Sequence, residues 1–190
     1  MNNFQVTPLF SSNIYVKQLE ISDLNFIIEE VKKYELNSVS ENRSNIGGFQ
    51  ADFNMNNETD VSHLIKKEIL NAAEDFPRME INSMWMNINR KNNFNQTHVH
   101  PESDFSGVIY LKTPDNCGTI RFQNPHAFAR SAYMRKISEQ ERAITSQYVQ
   151  YQFEPKAGML ILFPPDLPHY VMPNNSDEER ISVAFNIDFL

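Results

Sequence analysis

The chain has 190 residues, with 17 Lys and Arg against 24 Asp and Glu, a net charge of −7 with histidine neutral. A chain of this length buries roughly 70% of its unfolded surface around one core. The 41% hydrophobic and 12% aromatic fractions supply that core, which argues against intrinsic disorder and makes one domain the default. The acidic balance excludes a sheath of phosphate-binding Lys and Arg, so nucleic acid is not an expected partner. The longest apolar stretch, around Met159 to Phe163, is far too short to cross a bilayer, and Met-Asn-Asn-Phe-Gln has no basic leader. Neither membrane nor export is therefore expected, and the expected location is cytoplasmic. Cys117 is the only cysteine, so any metal has to be held by His, Asp or Glu.

A strand near Asn13 to Leu19 opens the chain. Ser22 is placed to cap a helix over Asp23 to Glu35, with Leu24, Ile27, Ile28 and Val31 as its apolar stripe. The segment from Asn37 to Thr59 is polar, contains Gly47-Gly48, and reads as a loop. A second helix is predicted from Val61 to Phe76, where Val61, Leu64, Ile65, Ile69, Ala72, Ala73 and Phe76 recur at three and four residues before Pro77.

From residue 82 the period changes to two. Strands are predicted at 82–90, 96–100, 105–112, 118–122, 148–153, 158–163, 168–172 and 179–188, separated by Pro-, Gly-, Asn- and Asp-rich turns. Eight closely spaced strands with little helix among them favour a sandwich or barrel, covered on one face by the two early helices, in an α+β domain. The expected organisation is a single domain over 1–190: helical support in 1–80 and a β-rich core in 81–190. Gln123 to Gln147 breaks the rhythm. It is charged, with Arg130, Arg135, Lys136 and Arg142 facing Glu139 and Glu141, and with Arg121 at its root. It reads as an insertion, either a solvated excursion or a lid that attracts an acidic substrate.

His98-Val99-His100 places two imidazoles at i and i+2, which on a strand share a face and a metal ion. The alternative is two ordinary strand histidines. His169 follows a Pro-Pro-Asp turn and offers a third ligand. Beyond it, Ile181, Val183, Phe185, Ile187 and Phe189 alternate with Arg180, Ser182, Ala184, Asn186 and Asp188. If the apolar face packs on the helices, the polar face lines the interior. There Arg180 needs an anion, either a bound carboxylate or an acidic side chain of the chain itself.

His98-Val99-His100-Pro101, Ser106-Gly107-Val108-Ile109-Tyr110-Leu111, Pro155-Lys156-Ala157-Gly158, Phe163-Pro164 through Pro168-His169, and Glu179-Arg180-Ile181-Ser182 through Asn186 occur in an order and spacing that resembles the Fe(II)/2-oxoglutarate-dependent oxygenases of the double-stranded β-helix (jelly-roll, cupin-like) fold. The likeness is closest to a bacterial and phage subgroup and covers about residues 82 to 190. It implies a non-haem dioxygenase that takes Fe(II), 2-oxoglutarate and dioxygen and hydroxylates a further substrate, releasing succinate and CO₂. By the resemblance His98 and His169 take the two histidine ligand positions, and His100 falls where most of the superfamily has Asp or Glu. Arg180 pairs with the distal carboxylate of 2-oxoglutarate, Ser182 follows it in an Arg-x-Ser pattern, and Tyr110 corresponds to a tyrosine that hydrogen-bonds the same carboxylate.

The departure at His100 changes the charge of the site. Fe²⁺ with dianionic 2-oxoglutarate is neutral under three histidines and carries −1 when a carboxylate ligates. Glu102 and Asp104 are alternative ligands, but across Pro101 neither has an obvious strand geometry for it, and the reading favours His98, His100 and His169. The two acids are also candidates to orient the imidazoles. His63 and His126 read as surface histidines, Cys117 as a packing residue, and Trp85 with its neighbouring methionines as core, with Asn87 or Asn89 as a lesser candidate for the pocket. Two other readings remain open: a barrel that only binds a ligand or partner, and a three-histidine cupin-type dioxygenase without 2-oxoglutarate. Neither requires Arg180, Ser182 and Tyr110 together.

Overall fold

The computed structural model describes residues 11–41, 43–53, 60–101 and 103–190. Among them β1 (Tyr15–Gln18) is followed by α1 (Leu24–Asn37), β2 (Asn45–Ile46), β3 (Phe49–Asp52), α2 (Asp60–Ala72), β4 (Met79–Asn89), β5 (Phe94–His98), β6 (Phe105–Lys112) and β7 (Ile120–Gln123). Then come α3 (Ala127–Met134), α4 (Glu139–Thr145), β8 (Gln150–Phe153), β9 (Met159–Phe163), β10 (His169–Val171) and β11 (Arg180–Phe189). The strands form two sheets, β1-β9-β6-β11-β4-β3 and β2-β5-β10-β7-β8, with every pairing antiparallel. This is the double-stranded β-helix.

β11 is one of the two central strands of the larger sheet, and its alternation organises the interior. Ile181, Val183, Phe185 and Ile187 join Ile27, Val31, Ile65 and Ile69 of the two helices in one buried cluster on the outer face. A second cluster, which includes Val108, Tyr110, Ile120, Phe122, Ile161 and Phe163, fills the space between the sheets. The period of two therefore sends every second residue of β6, β9 and β11 to the helices and the others inward. Gly107 on β6 allows this packing: a Cβ there would lie 2.7 Å from Phe185 Cε2 and 2.8 Å from Leu162 Cδ2.

Three local expectations are corrected. Asp23, not Ser22, stands at the N-cap of α1, in the left-handed region at φ 58° and without a side-chain cap. The segment expected as a loop contributes β2 and β3, because Asn45 and Phe49–Asp52 find partners in Asn95 and in Ile88 to Trp85 that lie far along the chain. α2 ends at Ala72, and Ala73 to Phe76 continue as tight turns, with Phe76 N–H donating to the Ala73 carbonyl at 2.9 Å. Among the described residues no helix is long and apolar enough to cross a membrane.

Candidate metal centre and carboxylate pocket

His98 ends β5 and lies opposite His169, the first residue of β10, across the smaller sheet. His100 is beyond the end of its strand, in a turn whose backbone N–H donates to the Pro165 carbonyl at 2.8 Å. That tertiary anchor holds His100 in place two residues past the last paired residue of β5. The ligand atoms of the three rings all lie within 4.8 Å of one another.

Each ring is oriented through Nδ1. That of His98 donates to the Gln96 carbonyl at 2.8 Å, that of His169 to the Leu167 carbonyl at 2.9 Å, and that of His100 to Asn186 Oδ1 at 3.0 Å. A carbonyl oxygen can only accept, so all three protons sit on Nδ1 and all three Nε2 atoms present lone pairs inward. The 3.2 Å approach of His100 Nε2 to His169 Nε2 is then two lone pairs facing each other with no proton between them. A cation resolves that repulsion. Two ligands about 2.1 Å from one ion and at right angles stand about 3.0 Å apart, close to what is seen here. Burial first, and then the neighbouring His98, lowers the pKa of His100 to about 4 and that of His169 to about 3, so both are neutral and ready to ligate near pH 7.

The polar face of β11 runs inward from this cluster. Ser182 lies opposite Tyr110 on one side and Asn87 on the other, and Ala184 lies opposite Trp85 and Val108. Arg180, only 1% exposed, sits at the far end. Its Nη1 donates to the Cys117 carbonyl and, at 3.3 Å, to that of Met172. Its Nη2 is buried without a partner. Gly118 makes the double carbonyl clamp possible: at φ 86° it lets the 113–119 loop close against Met172 and Pro173, where a Cβ would meet the Pro173 carbonyl oxygen at 2.7 Å. Among the described residues no carboxylate pairs with Arg180, and the adjacent Glu179 is taken up by Lys32 and Lys112. The alternative of an internal ion pair has no partner among these residues, and the guanidinium faces a cavity lined by His98, His100, His169, Tyr110, Ser182 and Asn87. Burial raises the Tyr110 pKa against the pull of Arg180, which keeps the phenol a neutral donor. An orphaned buried donor, a phenol and a serine hydroxyl at one end and three inward lone pairs at the other suit an anion that also chelates a metal.

Sequence reasoning misplaced several neighbours. Trp85 is not simple core filling: its ring stacks on His100, with centroids 5.4 Å apart, and it lines the cavity. Asn87 reaches the cavity, whereas Asn89 donates to Asn45 Oδ1 at 2.9 Å. Asp104 is not part of the ligand-atom cluster, and its Oδ2 accepts the Phe189 N–H at 2.9 Å. The orienting role seen for His100 belongs to Asn186, which also accepts from Ser106 Oγ at 2.8 Å. The only signal for it was its place on the polar face of the Arg180 strand. Glu102 lies outside the described residues. His63 and His126 are exposed, as expected.

A two-sheet β-helix with an imidazole cluster at one end of its cavity and a buried arginine at the other defines the class of metal-dependent oxygenases that use an oxo-acid co-substrate. A family profile described as "Putative 2OG-Fe(II) oxygenase" matches residues 83–186, more than half of the chain, and the chain belongs to that family. It is a 2-oxoglutarate/Fe(II)-dependent oxygenase. Among solved structures, a Pseudomonas putida prolyl-4-hydroxylase is similar at TM-score 0.64 and 15% identity, over 95% of this chain and 94% of that one. HygX from Streptomyces hygroscopicus, with nickel and 2-oxoglutarate bound, is similar at TM-score 0.63 and 10% identity, over 94% and 83%. The viral collagen prolyl hydroxylase of Paramecium Bursaria Chlorella virus-1, in complex with 2-oxoglutarate, is similar at TM-score 0.57 and 16% identity, over 93% and 96%. At these identities the likeness is one of fold. No curated protein sequence matches the chain significantly.

Proposed function

We propose that His98, His100 and His169 hold the iron, that Arg180, Tyr110 and Ser182 hold the distal carboxylate of 2-oxoglutarate, and that the reaction is hydroxylation of a substrate C–H bond. The observation that carries this reading is the pairing of three inward Nε2 lone pairs with the unpartnered buried Nη2 of Arg180 at opposite ends of one cavity. When bound, the metal and 2-oxoglutarate together supply oxidation by dioxygen, the co-substrate leaving as succinate and CO₂. The chain's own contribution is positioning. Gln96, Leu167 and Asn186 fix the imidazole planes. The Cys117 and Met172 carbonyls aim the guanidinium, and Trp85 and Phe163 wall the rings from water. No side chain needs to move a proton as a general acid or base. A three-histidine enzyme that did without the oxo acid would leave Arg180 Nη2 with nothing to bind. The single cysteine, which rules out a disulfide within the chain, supports a reducing, cytoplasmic setting.

Anaerobic reconstitution with Fe(II), followed by a succinate-release assay, tests the reading. Succinate is expected only when Fe(II), 2-oxoglutarate and oxygen are all present. Metal binding that survives the His98→Ala and His169→Ala variants unchanged would overturn the ligand assignment.

A further inference from the structure

The cavity is short of negative charge. Among the described residues its wall carries no Asp or Glu. The three imidazoles are backed by two backbone carbonyls and one carboxamide, all neutral, where a carboxylate behind a ligating imidazole would add an anion. Tyr110 is a neutral phenol, and Arg180 meets only carbonyl oxygens.

On the ligand assignment proposed above, a divalent metal and Arg180 bring three positive charges into the cavity, and 2-oxoglutarate returns two. One positive charge is left over in a buried site, where an uncompensated ion is costly and its attraction for an anion is strong. We propose that the oxidised substrate is itself anionic, and that it presents a carboxylate-type oxyanion to the cavity beside 2-oxoglutarate and completes the charge balance. His100 sets this class. With Asp or Glu in its place the loaded site would already be neutral and would suit a neutral substrate. The sequence of the segment that follows β7 has the same sign. The segment after β7 leaves the sheet one residue beyond Phe122, which lies opposite His169. It carries Arg130, Arg135, Lys136 and Arg142 against Glu139 and Glu141, in a chain whose net charge is −7.

An isosteric pair of probes, acetate and acetamide, tests the charge alone. Each is titrated under nitrogen into the Fe(II)-loaded protein at saturating 2-oxoglutarate, and the shift of the metal-to-ligand absorption band is followed. Acetate is expected to bind at least about tenfold more tightly than acetamide to the natural chain, with the preference falling to about twofold or less in His100→Asp and in His100→Glu. The two variants differ in reach, so a failure of one to load metal leaves the other to decide. Equal affinity for acetate and acetamide in the natural chain, with metal and 2-oxoglutarate demonstrably bound, overturns the inference while leaving the site assignment intact. A tenfold gain in acetate affinity in Glu102→Gln also overturns it, because the counter-charge would then come from the chain itself. Failure of the natural chain to take up iron, seen by metal analysis before any probe is added, removes the assignment on which the inference rests.

Discussion

At the scale of single residues, Asn186 and Arg180 act at the two ends of one strand. Asn186 Oδ1 accepts from both His100 Nδ1 and Ser106 Oγ and so turns His100 Nε2 toward the histidine cluster. Asn186→Ala is expected to weaken metal affinity by about 10- to 100-fold, and Asn186→Asp, which keeps the acceptor, to restore most of it. Equilibrium dialysis against a metal buffer measures both. Arg180→Ala is expected to leave metal affinity nearly intact while costing about 2–5 kcal/mol of 2-oxoglutarate binding, read by anaerobic titration of the same absorption band. The histidines also set the acid response. Their folded pKa values all lie below the ordinary 6.5, chiefly through burial, at about 4 for His100 and about 3 for His169, so between 6.5 and about 4 the unfolded chain takes up protons at these two that the folded chain refuses. Stability is therefore highest above pH 6.5 and falls on acidification, by up to about 1.4 kcal/mol per pH unit for each of these two histidines. Thermal unfolding of the metal-free protein between pH 7 and pH 4.5 checks this; His169→Gln is expected to show a shallower decline.

At the scale of elements, the β7 entry loop, the segment after β10 and β11 form a unit that aims the guanidinium. The positive φ of Gly118 and the closeness of the Pro173 carbonyl leave no room for a side chain. Gly118→Ala is expected to displace the Cys117 carbonyl and weaken 2-oxoglutarate by about tenfold, a cost of about 1.4 kcal/mol, with metal affinity unchanged because the three histidines belong to other turns. Isothermal titration with each ligand separates the two effects. The alternation of β11 was legible in the sequence because a strand's period is local geometry. The strands β2 and β3 were not, since a two-residue strand and a four-residue strand gain their hydrogen bonds only from partners 33 to 50 positions along the chain. The helix start was misread for a related reason: Ser22 has the chemistry of a cap, but Asp23 takes the left-handed conformation that turns the chain into α1.

At the scale of the whole molecule, the two-helix segment between β7 and β8 is the element least tied to the body. α4 has no buried residue, and Ile144 is 77% exposed. The capping box of Ser138 and Glu141 holds the helix internally, and Arg142 Nη2 ties it back to the Met134 carbonyl at 3.0 Å. Met134 is buried and anchors the other helix. Few buried contacts imply a low free energy of local opening. Limited proteolysis is expected to cut first within residues 138–147 of the metal-free protein and to slow there when metal and 2-oxoglutarate are added. Equal rates in the two states would mark the segment as a passive surface feature. The side chain of Arg130 lies outside the described residues.

The sequence by itself determined the β-rich body, the inward face of β11 and which residues are the candidates for metal and carboxylate chemistry, because strand alternation, turn residues and side-chain type are local properties. Only the tertiary structure decided how those residues act. His100, past the end of β5, is held near His98 and His169 by the bond of its backbone N–H to the Pro165 carbonyl. The direction of the three lone pairs depends on acceptors contributed by Gln96, Leu167 and Asn186. Trp85 lies against a histidine fifteen positions away, and the Asp104 carboxylate meets the Phe189 N–H. In each case the deciding partner comes from a different turn or strand, and whether a polar group is free to bind a ligand is known only once all the groups packed around it are in place.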